Sequence, residues 1–184
     1  ILLSGFCWSL GRKKRQGGVK VFLSGTLVTL VTFLIAPGNR VVFGILTLLG
    51  SCQLLMIFLD KWLKKWNPVM GLCVSFCLFV IFRGSNNGYL GFAKWKMIDL
   101  PTEWYQNQFT AYLGFPGEDF YSTDYFSLVP WMFHFFSGYF LYKLVVRLSD
   151  KKEEGNTILD ALKHEKLSKV AWVGRHSLII YLLH

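Results

Sequence analysis

An all-α fold, a polytopic bundle of transmembrane helices, follows from three features of this 184-residue sequence. Hydrophobic residues make up 53% of the chain and include 17 phenylalanines, more apolar surface than a soluble core of this size normally hides. The charges gather in short runs and leave long windows empty, the pattern of segments that alternate between hydrocarbon and water. Several of those windows approach the ~20 residues needed to cross roughly 30 Å of hydrocarbon.

Taken in order, Ile1–Leu10 reads as the tail of one membrane helix and Gly11–Gly18 (GRKKRQGG) as a basic turn. Val19–Ala36 is the first full span; only Lys20 is charged, and the Pro37-Gly38 pair stops it. Val41–Leu59 is a second span without charge, followed by Asp60–Asn67, where lysines alternate with Trp62 and Trp66 as a headgroup region favours. Val69–Phe82 is a shorter uncharged stretch that its flanks, Trp66 and Arg83, extend toward spanning length. Phe126–Val146 is the fourth full span, with Lys143 near its end where a lysine can snorkel. A last apolar run, Leu178–Leu183, follows Gly174-Arg175-His176-Ser177. The chain opens on Ile in an apolar run and stops at His184 in another. The expectation is one integral-membrane domain over 1–184, about four full spans with partial spans at both ends, cut at both termini.

The segment 83–125 is too long for a turn. It carries Asn87-Gly88, Pro101 and Pro116-Gly117, and also Trp95, Trp104, Tyr105 and Phe109, so it is expected to be an ordered loop. The stretch 147–169 reads as a solvated linker (Asp150–Asn156) and a short interfacial helix, with Ile158, Leu159 and Leu162 on one face.

Alternate loops sort the charges. Gly11–Lys20, Asp60–Asn67 and Lys143–Lys169 together hold 15 Lys and Arg, whereas the other side has 4: Arg40, Arg83, Lys94 and Lys96. Lysine and arginine accumulate in cytoplasmic loops. The basic side is therefore expected in the cytoplasm, the 83–125 loop outside it, and 147–169 in the cytoplasm. The same reading explains the net charge of +9 without nucleic acid. Cys7, Cys52, Cys73 and Cys77 lie in apolar runs without metal-ligand spacing and are expected as small buried hydrophobes.

No P-loop, Rossmann glycine pattern, HExxH or GxSxG occurs. The chemistry is left to polar groups at depth or at helix mouths, where ionisable side chains are costly and suspect as functional. His134 and His184 each fall about 12 Å into a span at 1.5 Å per residue. Each is either a catalytic candidate or a histidine bonded to a neighbouring carbonyl. Arg175, His176 and Ser177 open a helix after a glycine, an arrangement suited to cofactor phosphates or to anionic lipid headgroups. Asp124, before the fourth span, either binds a polar substrate or caps that span's N-terminus.

Three blocks occur in this order and spacing: Arg40–Gly50 (RVVFGILTLLG), Asp124–Trp131 (DYFSLVPW) with Gly138 beyond it, and Val173–His184 (VGRHSLIIYLLH). With the opening Leu3-Ser4-Gly5 and its basic turn, they resemble the catalytic-domain family of heparan-α-glucosaminide N-acetyltransferases, in particular its small prokaryotic members. The resemblance implies an integral-membrane acyltransferase of a prokaryotic plasma membrane. It would use acetyl-CoA as co-substrate from the cytoplasmic side, without a metal, and acetylate an amino sugar or other acceptor on the other side. It also implies Arg175, His176 and Ser177 for the cofactor and Asp124 and Arg40 for the acceptor. Membrane lipids and a homo-oligomer are the expected partners. The family's catalytic histidine lies upstream of the segment matching Leu3–Gly5, so no histidine here is equated with it, the catalytic residue is unknown, and the piece itself is expected to be inactive. Thr47 stands where relatives often carry Gln or His. The alternatives are a transporter or flippase-like protein and a non-catalytic membrane subunit; no internal repeat of the transporter kind is present.

Overall fold

A computed structural model of the chain describes residues 1–11, 13–92 and 95–150. Its helices are α1 (Leu2–Trp8), α2 (Lys14–Ile35), α3 (Ile45–Leu63), α4 (Pro68–Phe82), α5 (Gln108–Leu113) and α6 (Leu128–Asp150). Two short strands, β1 (Tyr89–Phe92) and β2 (Trp95–Asp99), pair antiparallel, with a register break between Leu90 and Gly91. The chain divides into two compact units, 1–142 and 143–184, and the core, cavities and helix crossings below belong to the first.

Three described stretches are long and apolar enough to cross a membrane: α2, α3, and Pro68–Asn87, which is α4 continued through a 3-10 turn. The architecture is an all-α membrane bundle. The 23-residue α6 has the length but is more polar, with His134, Ser137, Tyr139 and Tyr142 along it. It is also the most deeply packed helix. Phe135, Phe136, Tyr139 and Phe140 are buried with Leu48, Cys52 and Met56 of α3 and Trp8 of α1. In contrast, Leu23, Leu27, Leu30 and Leu34 of α2 are each more than half exposed, as apolar side chains are where the solvent is lipid. Of the cysteines only Cys52 is buried; Cys7, Cys73 and Cys77 are exposed on helix faces, contrary to the expectation of four buried ones.

The helix boundaries differ from the sequence expectation in instructive ways. Helix α2 starts at Lys14 and absorbs most of the basic turn, since Lys and Arg are good helix formers and Gly18 is packed closely against Leu54 of α3. Helix α3 starts at Ile45, four residues after the apolar run begins, because Val41–Gly44 is hydrogen-bonded to a later segment and Phe43 sits at a positive φ of 56°, outside the helical region. In α4, Asn67 accepts from the Val69 N–H at 3.1 Å and Pro68 occupies the first turn, a standard helix start. The 83–125 loop contains the hairpin, two 3-10 turns and α5, none of which the sequence pattern predicted.

Glycines set the helix separations. A Cβ on Gly5 would meet the carbonyl of Phe135, and one on Gly138 would meet the carbonyl of Leu2, so α1 and α6 touch backbone to backbone through a reciprocal glycine pair. Helices α2 and α3 use the same device, Gly25 lying against Thr47 and Gly50 against Phe22. Close backbone approach through small residues is how helices gain packing energy in lipid, where no hydrophobic force joins them.

Candidate functional site at the loop end of the bundle

Antiparallel α2 and α3 give the bundle two chemically different ends. At one end the 83–125 loop folds back onto the α2–α3 connection. The Thr123 N–H donates to the Arg40 carbonyl and the Phe126 N–H to the Phe43 carbonyl. The Val42 N–H donates to the Ser122 hydroxyl, which donates in turn to the Val42 carbonyl, both at 2.9 Å. Asp124 sits in this seam, and its carboxylate accepts from the Ile45 N–H at 3.3 Å. It therefore caps α3, a helix 79 residues earlier in sequence, and does not cap the helix that follows it. The chain spacing pointed only to α6; a cap contributed across the fold leaves no local signal.

Beside the seam lies an open cavity of about 1110 Å³, walled by the end of α2, the α2–α3 connection and the 83–125 loop. Among the described residues its wall carries the carboxylates Asp99, Glu118 and Asp119 and the cation Arg40. The Arg40 Nε donates to the Tyr121 carbonyl at 3.3 Å, which ties the guanidinium to the loop. Amide side chains (Asn86, Asn87, Gln106, Asn107, Gln108) and aromatic rings (Phe33, Tyr105, Phe120, Tyr121) complete the wall. Carboxylates for an ammonium, amides for hydroxyls and ring faces for a sugar's C–H surface are the donor set an amine-bearing polar ligand requires. Of the two residues expected at an acceptor site, Arg40 lines this cavity and Asp124 stands behind its wall as an anchor. Sequence reasoning did not single out Asp99, Glu118 or Asp119. Nothing in their spacing gathers them, because the hairpin and the 3-10 turns that do so carry no periodic signal.

The loop is held by an aromatic cluster and by phenol hydrogen bonds. Phe43 stacks near Tyr112 and Phe120, with centroids 5.1 and 6.2 Å away, and Phe120 meets Tyr125 edge-on at 4.9 Å. Tyr105 donates to the Ser85 carbonyl, Tyr112 to the Ser51 hydroxyl of α3, and Tyr125 to the Ala111 carbonyl. Burial pushes all three phenols above the ordinary tyrosine value of 10.0. The raised values mean that the stabilisation is complete below that ordinary value and fades as pH climbs past it toward the folded-state values. Titration of tyrosinate absorbance should show Tyr105, Tyr112 and Tyr125 among the phenols that ionise last, together with loss of loop structure. Simultaneous ionisation of all eight tyrosines in the folded protein would contradict the packing.

At the other end a chain of contacts joins four elements. The Lys14 ammonium lies 3.8 Å from the Trp8 ring centroid, and Trp8 meets Tyr139 edge-on at 5.9 Å. Tyr139 donates to Asp60 at 2.7 Å, and Asp60 pairs with Lys64 at 2.6 Å. Lys14 and Lys64 belong to the two basic runs before α2 and after α3, so these runs share one end of the bundle, away from the acidic cavity.

His134 projects from α6 against Phe79, 4.6 Å between ring centroids, and near Trp131. Its Nδ1 is buried without a hydrogen-bond partner. It does not line the acidic cavity. Arg175, His176, Ser177 and His184 lie outside the described residues, as does most of the expected 147–169 linker and helix. Among the described residues no three His, Cys, Asp or Glu side chains gather as a metal site.

Searches among curated proteins and among solved structures returned no match. The family model described as heparan-alpha-glucosaminide N-acetyltransferase, catalytic, matches residues 1–184, the whole chain. With three helices fit to span a bilayer, the chain is an integral membrane protein and belongs to the heparan-α-glucosaminide N-acetyltransferase catalytic-domain family.

Proposed function

We propose that the protein is a multi-pass acetyltransferase of a prokaryotic plasma membrane that moves an acetyl group from cytoplasmic acetyl-CoA to an amine, on an amino sugar or similar acceptor, at the extracytoplasmic face. The observation that carries this reading is the division of the bundle into a basic end and an acid-lined cavity at the opposite end. Positive residues accumulate on the cytoplasmic side, which orients the 83–125 loop and its cavity outward and the 147–169 segment inward. The cavity is then the acceptor site. Asp99, Glu118 and Asp119 attract the ammonium form of the incoming amine, and the amides and Arg40 orient its hydroxyls.

The basic end suits the phosphates of a coenzyme, with Lys14 and the Asp60–Asn67 lysines supplying positive potential near the inner face. Arg175, His176 and Ser177 are the residues proposed to hold those phosphates. When bound, acetyl-CoA supplies an activated thioester carbonyl for the acceptor nitrogen. Anionic lipids at the same basic end and assembly into a homo-oligomer are part of the proposal.

The test is acetyl-CoA binding and acetyl transfer to glucosamine by the purified full-length protein in nanodiscs. Arg175→Ala should weaken acetyl-CoA binding about tenfold, the loss expected for one charge-assisted hydrogen bond, and leave acceptor binding unchanged. A protein that neither binds acetyl-CoA nor transfers its acetyl group is a transporter or an assembly subunit instead.

A further inference from the structure

A second, smaller cavity of about 400 Å³ lies beside the acidic one. Its wall is largely apolar, with Phe22 of α2, Phe43, and Phe109 and Tyr112 of α5. Thr29 and Gln108 line both cavities, so the two share a wall and follow one another along the bundle. Thr47, only 6% exposed, lies on the smaller cavity's wall with its hydroxyl packed against Gly25 of α2.

The smaller cavity also has a mouth toward the lipid. Thr26 lines it, and Thr26 falls on the same helical face as the exposed Leu23 and Leu30, which are three and four residues away. An apolar groove that opens on the membrane-facing stripe of α2 and leads to a polar, acid-lined chamber has the shape of a site for an amphiphile. The chamber takes a cationic polar head, and the groove takes the alkyl chain joined to it.

We propose that the acceptor is membrane-anchored: an amine-bearing head, such as an amino sugar, carried on a single lipid chain. The head occupies the acidic cavity, and the first part of the chain lies between Phe22, Phe109 and Thr47. The linking oxygen between head and chain passes Thr29 and Gln108, which line both cavities. This rests on the acetyltransferase reading for the reaction itself: the acceptor nitrogen forms a bond to the acetyl carbon, the thioester C–S bond breaks, and the proton leaving nitrogen is matched by the one the thiol gains. The placement of the amphiphile does not depend on that reaction.

The experiment uses the full chain in nanodiscs and a dodecyl 2-amino-2-deoxyglucoside carrying a diazirine in its chain. Photolysis should label Phe22, Phe109 or Thr47. Untagged dodecyl 2-amino-2-deoxyglucoside should suppress the label, dodecyl maltoside should not, and Thr26→Trp, which fills the mouth from an exposed position, should abolish it. Transfer to the dodecyl glycoside should show a KM about tenfold below that for the methyl glycoside, a gain that Thr26→Trp removes. Label scattered over lipid-facing residues, equal suppression by dodecyl maltoside, or equal KM values for the two glycosides would each overturn the proposal. Specific labelling without acetyl transfer would leave the amphiphile site standing and remove the reaction; transfer with scattered labelling would do the reverse.

Discussion

Gly138→Leu should abolish folded protein, or lower its stability by more than about 3 kcal/mol, the upper range for overpacking. The glycine faces the carbonyl of Leu2, and a Cβ alone would already collide with backbone that has no rotamer through which to escape. Any relief must come from moving α1 away from α6. That would open the contact between Gly5 and Phe135 and loosen Trp8 from the buried cluster of Phe135, Tyr139 and Phe140. Gly38 supplies the control, because nothing lies within 4 Å of its would-be Cβ. Gly38→Leu should leave thermal unfolding in detergent unchanged. Equal unfolding temperatures for the two variants would mean that α1 and α6 do not cross as described.

The second large effect belongs to the acidic cavity. Replacing both Asp99 and Asp119 by Asn should raise KM for an amine acceptor about thirtyfold, within the range for losing one or two charge-assisted contacts. Both side chains are exposed and make no ion pair among the described residues, so the variant should fold as the parent does. Binding of acetyl-CoA should not change, since the proposed coenzyme end is the opposite one. A drop in acetyl-CoA affinity with acceptor KM unaltered would reverse the assignment of the two ends.

The spans were legible because hydrocarbon imposes a simple demand: long uncharged windows, with lysine and tryptophan at their edges. Helices α2, α3 and α4 follow from that demand, and only their ends shift. The shifts have tertiary causes, such as the pairing of Val41–Gly44 with Ser122–Phe126, that no single window contains. Helix α6 was recognised by its length, yet its polar residues hid that it is the helix packed deepest. The candidate site was the least legible part. Arg40 came from the family resemblance rather than from any local pattern, and it lines the cavity. Asp124 was chosen for its place before a helix, and the helix it caps is a different one. The carboxylates are brought together by a hairpin and by turns held on phenol hydrogen bonds, a set of contacts with no period to read.

The glycine crossing also bears on how the protein is made. The surface that helix α1 needs, Phe135 to Gly138, is translated more than 120 residues after α1 itself. Until then the seven residues of α1 have, among the described elements, α3 and Lys14 at the start of α2 as neighbours. The more polar α6 likewise gains little from lipid and much from neighbours already in place. Assembly should thus be ordered, with the α2–α3 hairpin inserted first as a template. The last described helix then locks the first, so a nascent chain halted before Gly138 would expose α1 to membrane quality control.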